Sequence, residues 1–300
     1  MVYDVSIIGS GPAGLSAAIY AKRANLSAIV IEKEYEGTGQ IAESGQVDNY
    51  LGLPGMGGYE LGEKFRSHAL NLGVDFMEGE VSRIKKGEDG FTLTLSSEEE
   101  FRSRTVIYAA GASARRGNIS GEDQFFGRGV SYCAICDGSF YSNQTVAVLG
   151  GGDTALDDAA YLSNIAKKVY LIHRRDTFRG AAKTVERLQQ KDNVEFLLNE
   201  TVTEIYGDSK VQGCKLSDGT QLEVNGVFVG FGSKPNTDVI RELVSLDANG
   251  YVIADETGHT SLDGFFVAGD VRTKPLRQVI TAVADGANAA TAIYHYLENK

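Results

Sequence analysis

The amino-acid sequence predicts an α/β fold of two units, each a parallel sheet with helices packed on it. Three observations predict it. A short apolar run, a glycine-rich turn, an Ala-rich helical stretch and a second apolar run open the chain, which is the order of a βαβ unit. The same order recurs from residue 144. The last third holds an apolar run closing on Gly-Asp, then a long Ala-rich stretch with helical spacing. Two copies of one unit suggest two domains of similar build, and 300 residues at 42% hydrophobic content suffice for two cores.

The elements follow in order. Residues 5–8 form a strand, residues 15–23 a helix, and residues 28–31 a second strand ending at Glu32. Residues 91–95 read as a strand near a hairpin or meander. In the second copy, residues 144–149 are a strand, 156–162 a helix and 169–172 the next strand, ending in His173-Arg174-Arg175. Residues 194–198 again read as a strand near a hairpin or meander. A strand over 264–270 and a helix over 278–297 complete the pattern. Two Gly-rich stretches, 111–121 and 230–236, are candidate hinges.

Composition narrows the function. Glycine is abundant, 36 residues, and proline scarce, 4, which points to tight backbone approaches rather than a flexible linker. A net charge of -11 repels a phosphate backbone, so a nucleic-acid partner is not expected. Three cysteines make no disulfide scaffold. The opening MVYDVSIIGSG lacks the basic region of a signal peptide, and no apolar run approaches a membrane span. A reducing compartment, the cytoplasm, is the expectation, without membrane association.

The first glycine turn is Gly9-Ser10-Gly11-Pro12-Ala13-Gly14. In GxGxxG the glycines permit the tight turn, the close approach of a pyrophosphate and helix-strand packing, while the helix N-terminus offers free N–H groups to the phosphates. An acid closing the second strand accepts from ribose hydroxyls. Glu32, eighteen residues after Gly14, stands where that acid belongs. The competing reading of Glu32 alone is a solvated loop acid.

The second turn, Gly150-Gly151-Gly152-Asp153-Thr154-Ala155, fits GxGxxA. At the position of Glu32 it carries His173, Arg174 and Arg175, with Arg179 four residues on. A carboxylate would repel a 2′-phosphate, whereas arginines hold one. This unit is therefore expected to prefer NADPH to NADH. The competing reading is a solvated basic loop. A first unit combined with a late Gly269-Asp270 strand end is a usual way of holding FAD, with Asp270 reaching the ribityl chain; as a lone residue Asp270 could equally cap a helix.

Cys133-Ala134-Ile135-Cys136-Asp137-Gly138 lies just before the second glycine turn. A CxxC turn sets two sulfurs on one face, close enough for a disulfide. Closing so small a loop stabilises little, which weakens the reading as a staple. A metal site needs two more ligands, but Cys214 is distant and His68, His173, His259 and His295 are scattered without ligand spacing, so no metal is expected. Dithiol–disulfide exchange remains. Asp137 then serves as an acid that protonates a leaving thiolate; its competing reading is an exposed cap residue. Cys214 reads as an ordinary strand cysteine.

The CAICDG run before a second GxGxxA unit with HRRxxxR resembles low-molecular-weight thioredoxin reductase, of the class II pyridine nucleotide-disulfide oxidoreductases. Ala109-Ala110-Gly111, residues 266–270 and Arg277-Gln278 also match that family's FAD-side signatures, and the resemblance covers essentially the whole chain. It implies two Rossmann-like, three-layer ββα dinucleotide-binding domains, the NADPH domain (119–244) inserted into a discontinuous FAD domain (1–118 and 245–300). FAD would touch Gly9, Gly11, Pro12, Ala13, Gly14, Glu32, Gly39, Gln40, Asn49, Ala110, Gly111, Gly269, Asp270, Arg277, Gln278 and Val279. NADPH would touch Gly150, Gly152, Asp153, Thr154, Ala155, His173, Arg174, Arg175 and Arg179. Electrons would pass from NADPH through FAD to the Cys133–Cys136 disulfide and on to thioredoxin or a thioredoxin-like protein. Cys136 resembles the cysteine beside the flavin, Cys133 the one that attacks thioredoxin, and Asp137 the acid/base residue. The resemblance further implies a homodimer and a rotation of one domain on the other. The sequence departs from the family at Ile135, where Thr is commonest, and at Gly180-Ala181-Ala182-Lys183 after Arg179. Alternatives of the same fold are a ferredoxin-dependent flavoenzyme, which lacks the second glycine turn and the arginines, and a dithiol oxidase, which has no use for them. A non-catalytic redox sensor would not turn over NADPH.

Overall fold

The computed structural model describes residues 2–33 and 37–300. The chain forms two compact units, Met1–Ser113 with Lys234–Lys300, and Ala114–Ser233.

In the first unit β1 (Val2–Ile8), α1 (Pro12–Arg23), β2 (Ala28–Glu32), α2 (Gly58–Asn71) and β3 (Asp75–Glu78) precede a meander of β4 (Val81–Gly87), β5 (Gly90–Leu95) and β6 (Glu100–Tyr108), after which comes the short β7 (Ala112–Ala114). β1 lies parallel between β2 and β6, with β3 outside β2. The far edge of β6 is shared. Its first half pairs antiparallel with β5, as the meander reading of 91–95 expected.

The second unit contains β8 (Val130–Ser131), α3 (Ala134–Asp137), β9 (Thr145–Leu149), α4 (Asp153–Leu162), β10 (Lys168–His173), α5 (Ala182–Gln189) and β11 (Val194–Leu198). A second meander follows, β12 (Val202–Gly207), β13 (Val211–Leu216) and β14 (Gln221–Glu223), then β15 (Gly226–Val229) and β16 (Ser233–Pro235), which pairs with β7. Its main sheet runs β11-β10-β9-β15-β8, all parallel. The stretch 194–198 is thus a parallel edge strand and not part of the neighbouring meander. The chain then returns to the first unit as β17 (Phe265–Val267), which completes the edge of β6, and α6 (Val279–Glu298).

Period-2 alternation builds both cores. Ile7, Val30 and Ile107 face α1 and α6, while Ile8, Ile31 and Val106 face the opposite layer with Phe91, Leu93 and Phe265. In the second unit Val146, Val148 and Leu171 face α4, and Ala147, Leu149 and Ile172 face the meander with Ile205, Val211 and Cys214. Each unit is three layers, two of β structure and one of helix. Because both faces are covered, β2 is buried along its whole length and reads as an apolar run as far as Glu32. α1 and α6 meet closely at Gly286, where a Cβ would lie 2.0 Å from the Ala13 carbonyl oxygen.

The joints between the units fall at 113/114 and 233/234, five and eleven residues ahead of the expected 118/119 and 244/245. Packing explains the shift. Ile240 and Val244 bury against the first unit's sheet. Residues 115–122 are bound into the second unit: Arg115 N–H donates to the Gly232 carbonyl, and the Glu122 carboxylate accepts from Gly117 and Ile119. Both expected hinge stretches include the paired strands β7 and β16. Among the described residues, no helix is long and apolar enough to cross a membrane.

Candidate active site

The first glycine turn joins β1 to α1. Gly9 has φ +106°, and a Cβ there would lie 2.5 Å from the Ala109 carbonyl oxygen; one on Gly14 would lie 1.9 Å from that of Gly9. Above Gly11 nothing comes closer than 3.9 Å. Gly11 is the N-cap of α1, Pro12 opens the helix, and no side chain caps it, so its first N–H groups are left for a ligand. Other expected residues gather at this rim. Gly39 packs on Gly11. The Gln40 amide donates to the Ala112 carbonyl. Asn49 donates to Gln278 at 2.9 Å, and Gln278 caps the helix that begins at Val279. Ala110 and Gly111 are held by Asn236, whose side chain donates to the Ala110 carbonyl at 2.8 Å and whose N–H donates to that of Gly111. Sequence reasoning passed over Asn236, because its partners lie more than 120 positions away.

Glu32 is not a solvated acid. It is 2% exposed and meets the Arg66 guanidinium at two points, 2.5 and 2.8 Å. Arg66, itself buried and stacked over the Phe76 ring, was also missed. Its position on the inner face of α2, near Leu61 and Ala69, was the available signal. Each carboxylate oxygen retains a lone pair for a further donor.

Asp270 caps no helix, since the next one begins at Val279. Its Oδ1 is buried, with no hydrogen-bond partner among the described residues. Burial pushes this carboxyl above the ordinary range, against the pull of Lys274 and Arg277. Gly269, φ +81°, brings the turn against Ala13, where a Cβ would meet the alanine methyl at 2.9 Å. The turn is anchored by Asp285 of α6, a further residue not foreseen. The Asp285 carboxylate accepts from Gly269 N–H at 3.0 Å, from Arg272 at two points of 3.0 Å and from Lys274 at 2.7 Å. Arg277 donates to the Asp270 carbonyl at 3.3 Å.

The second turn repeats the geometry. Gly150 has φ +141°, and a Cβ would lie 2.7 Å from the Gly230 oxygen, while Gly152 has nothing within 4 Å. Gly152 is the N-cap of α4, again without a side-chain cap. Thr154 is exposed and Ala155 fully buried. The Asp153 carboxylate accepts from Ala181 N–H at 2.8 Å, which ties the loop after Arg179 to the turn. His173 lies beneath. Its ring is 6% exposed, stacks on Phe178, bonds the Thr177 carbonyl at 3.1 Å and fills the space over Gly151. Burial lowers its pKa, aided by Arg175, Arg179 and Arg174, whose positive fields converge there. Those three arginines are exposed.

Cys133 and Cys136 form a disulfide, with Cα atoms 5.3 Å apart. Cys133 is the N-cap of the one-turn helix α3, and the Cys136 N–H points at its Sγ, 3.2 Å away. Asp137 accepts from the Ser131 hydroxyl at 2.6 Å and caps nothing with its side chain. Burial raises its pKa against that hydrogen bond. Ile135 stands exposed between the cysteines. Cys214 is buried in β13, its thiol pushed up to about 12.

The chain is similar to known proteins. The family model described as pyridine nucleotide-disulphide oxidoreductase matches residues 3–286. The thioredoxin reductase of Listeria monocytogenes is 41% identical over 99% of this chain and 94% of its own. That of Bacillus subtilis is 38% identical over 99% and 95%. The crystal structure of thioredoxin reductase from Streptococcus pyogenes superposes with a TM-score of 0.96 at 39% identity, covering 100% of this chain and 99% of that one.

Proposed function

The chain belongs to the pyridine nucleotide-disulphide oxidoreductases, among the thioredoxin reductases, and from that premise we propose that it carries electrons from NADPH through FAD and the Cys133–Cys136 pair to the disulfide of a thioredoxin-like protein. The observation that carries the reading is a disulfide in a CxxC turn, inside the same unit as an arginine-flanked glycine turn.

The first unit fits FAD. Uncapped N–H groups of α1 meet the pyrophosphate, the open face of Gly11 lets it approach, and the orphaned Asp270 Oδ1 awaits a donor of the kind a ribityl hydroxyl provides. Glu32 keeps lone pairs for the adenosine ribose while Arg66 balances its charge. When bound, FAD supplies a two-electron relay between nicotinamide and disulfide. The second unit takes NADPH: α4 receives the pyrophosphate, and Arg174, Arg175 and Arg179 take the 2′-phosphate, with His173 packing beneath them. In the dithiol, the Cys136 N–H favours a thiolate on Cys133, which fits Cys133 as the attacking sulfur. Asp137, its proton retained by burial, serves as the acid for a departing thiolate. We carry over the homodimer and the cytoplasmic location as part of the same reading.

Anaerobic titration with NADPH tests it. Flavin absorbance should bleach, with about two equivalents consumed per chain, one for FAD and one for the disulfide. The Cys133→Ser variant should consume about one and lose thioredoxin turnover. A flavin that stays oxidised under NADPH but is reduced by ferredoxin or a small dithiol would replace this reading with one of the two alternatives.

A further inference from the structure

The dithiol centre has a second acid behind it. α4 packs against α3, and the Oδ1 of Asp158 accepts a hydrogen bond from the backbone N–H of Ala134 at 3.3 Å. Ala134 is fully buried, adjoins Cys133 and opens the CxxC turn. The Oδ2 of Asp158 is buried and has no hydrogen-bond partner among the described residues. A buried carboxylate oxygen without a donor is costly when ionised and far less so when the group is neutral. Burial accordingly pushes this carboxyl up to about 7, against the Ala134 N–H and with the help of Asp157. The proton handling assigned to Asp137 leaves this acid without a role.

We propose that Asp158 is a positioning residue of the dithiol centre: through the Ala134 amide it holds the Cys133–Cys136 turn, and through its charge it sets how readily Cys133 ionises after reduction. The inference rests on the reading of the pair as a working dithiol. Cys133, as N-cap, draws on the first amides of α3, and Asp158 already occupies one of them. Ionised Asp158 opposes a thiolate nearby, and neutral Asp158 permits it. By linkage a Cys133 thiolate holds the proton on Asp158 more firmly. Reduction breaks the Sγ–Sγ bond and places two electrons on the sulfurs. One proton then goes to Cys136, and the second is shared between Cys133 and Asp158, which titrate as a coupled pair.

The other groups around α4 are these. β9 brings no titratable side chain. α3 brings Cys133, Cys136 and Asp137; α5 brings Lys183, Glu186 and Arg187; β10 brings His173 on the face toward α4, with Tyr170 on the opposite face and Lys168 at the strand's start. Asp157, beside Asp158 on α4, adds to the effect of burial.

The experiment compares Asp158→Asn, which keeps an acceptor for the Ala134 N–H but loses the charge, with Asp158→Ala, which loses both. The purified holoenzymes are reduced with dithiothreitol, freed of it, and alkylated with iodoacetamide from about pH 5 to 9. Modification at Cys133 and Cys136 is read by peptide mass spectrometry. Wild-type Cys133 should titrate in two overlapping steps. In both variants a single step should appear at lower pH, with Cys133 alkylated roughly three- to tenfold faster near pH 8, where wild-type Asp158 is mostly ionised. A purely structural role predicts that Asp158→Asn follows the wild-type profile, and that result overturns the proposal. Should the variants not fold, the wild-type infrared difference spectrum, reduced minus oxidised, must gain a protonated-carboxyl band that persists in Asp137→Asn; its absence is equally fatal. Reduction by dithiothreitol keeps the readout independent of NADPH. A failed NADPH titration therefore counts against the proposed function, and an unmoved alkylation profile against Asp158.

Discussion

The two units treat buried charge differently. The first gives its acids cations: Glu32 has Arg66, and Asp285 has Arg272 and Lys274. The second leaves Asp137 and Asp158 among hydroxyl and amide donors with no cation in ion-pair contact among the described residues, while its three clustered arginines face solvent. Even its buried Glu122 is held mainly by two backbone N–H groups and the Tyr132 hydroxyl. A paired buried charge is spent on holding a scaffold; an unpaired one keeps a shiftable proton, and an exposed arginine keeps its donors for a ligand. The first unit departs from its own habit at Asp270, whose Oδ1 has no hydrogen-bond partner among the described residues; the proposed function seats a cofactor hydroxyl there.

Breaking a pair in the first unit should have the largest effect. Arg66→Leu strands Glu32 and should cost about 3–5 kcal/mol in urea unfolding, while the double change Glu32→Gln with Arg66→Met recovers most of it. If the single change is silent, Glu32 is not held as the contrast requires. The glycine turns come next. Gly14→Ala drives a methyl into the Gly9 carbonyl and should cost about 3 kcal/mol, whereas Gly152→Ala has open space and should change stability by less than about 1 kcal/mol. Gly152→Ala should instead raise the KM for NADPH if, as proposed, the pyrophosphate approaches this open face.

Removing the exposed cations leaves folding alone. Arg174→Ala with Arg175→Ala should raise the KM for NADPH roughly 10- to 100-fold and that for NADH less than about 3-fold, in steady-state kinetics. Equal effects on both cofactors would return the arginines to a solvated loop. The smallest expected effect concerns pH. Because burial raises Asp137, its proton persists above the ordinary carboxylate range, and turnover should fall as pH rises through that raised value. Asp137→Asn should remove this limb from the kcat profile. Stability carries the same sign at Asp158. Between its ordinary 3.8 and about 7 the folded state binds more protons than the unfolded, so unfolding free energy declines as pH rises across that window. Asp158→Asn should flatten that slope in denaturant titrations.

The sequence by itself determined what is local. Strand, glycine turn and helix follow from residues within thirty positions of one another, so both βαβ units and the CxxC turn could be read directly, whereas α2, β3 and α5 were not. The place of a charge at the end of β2 or β10 was readable for the same reason. Tertiary structure decided what depends on distant partners. Whether Glu32 is solvated or buried turned on Arg66, thirty-four positions away. Whether Asp270 caps a helix turned on where α6 begins, and the seat of its turn on Asp285 of that helix. His173 stood in sequence among the residues expected at NADPH, and its burial over Gly151 and against Phe178 came from the fold. The joints between units moved because Ile240 and Val244 are apolar and find a core in the first unit, which no local pattern reveals. Backbone geometry and hydrophobic period are written within a few residues; the burial and pairing of a charge belong to the whole fold.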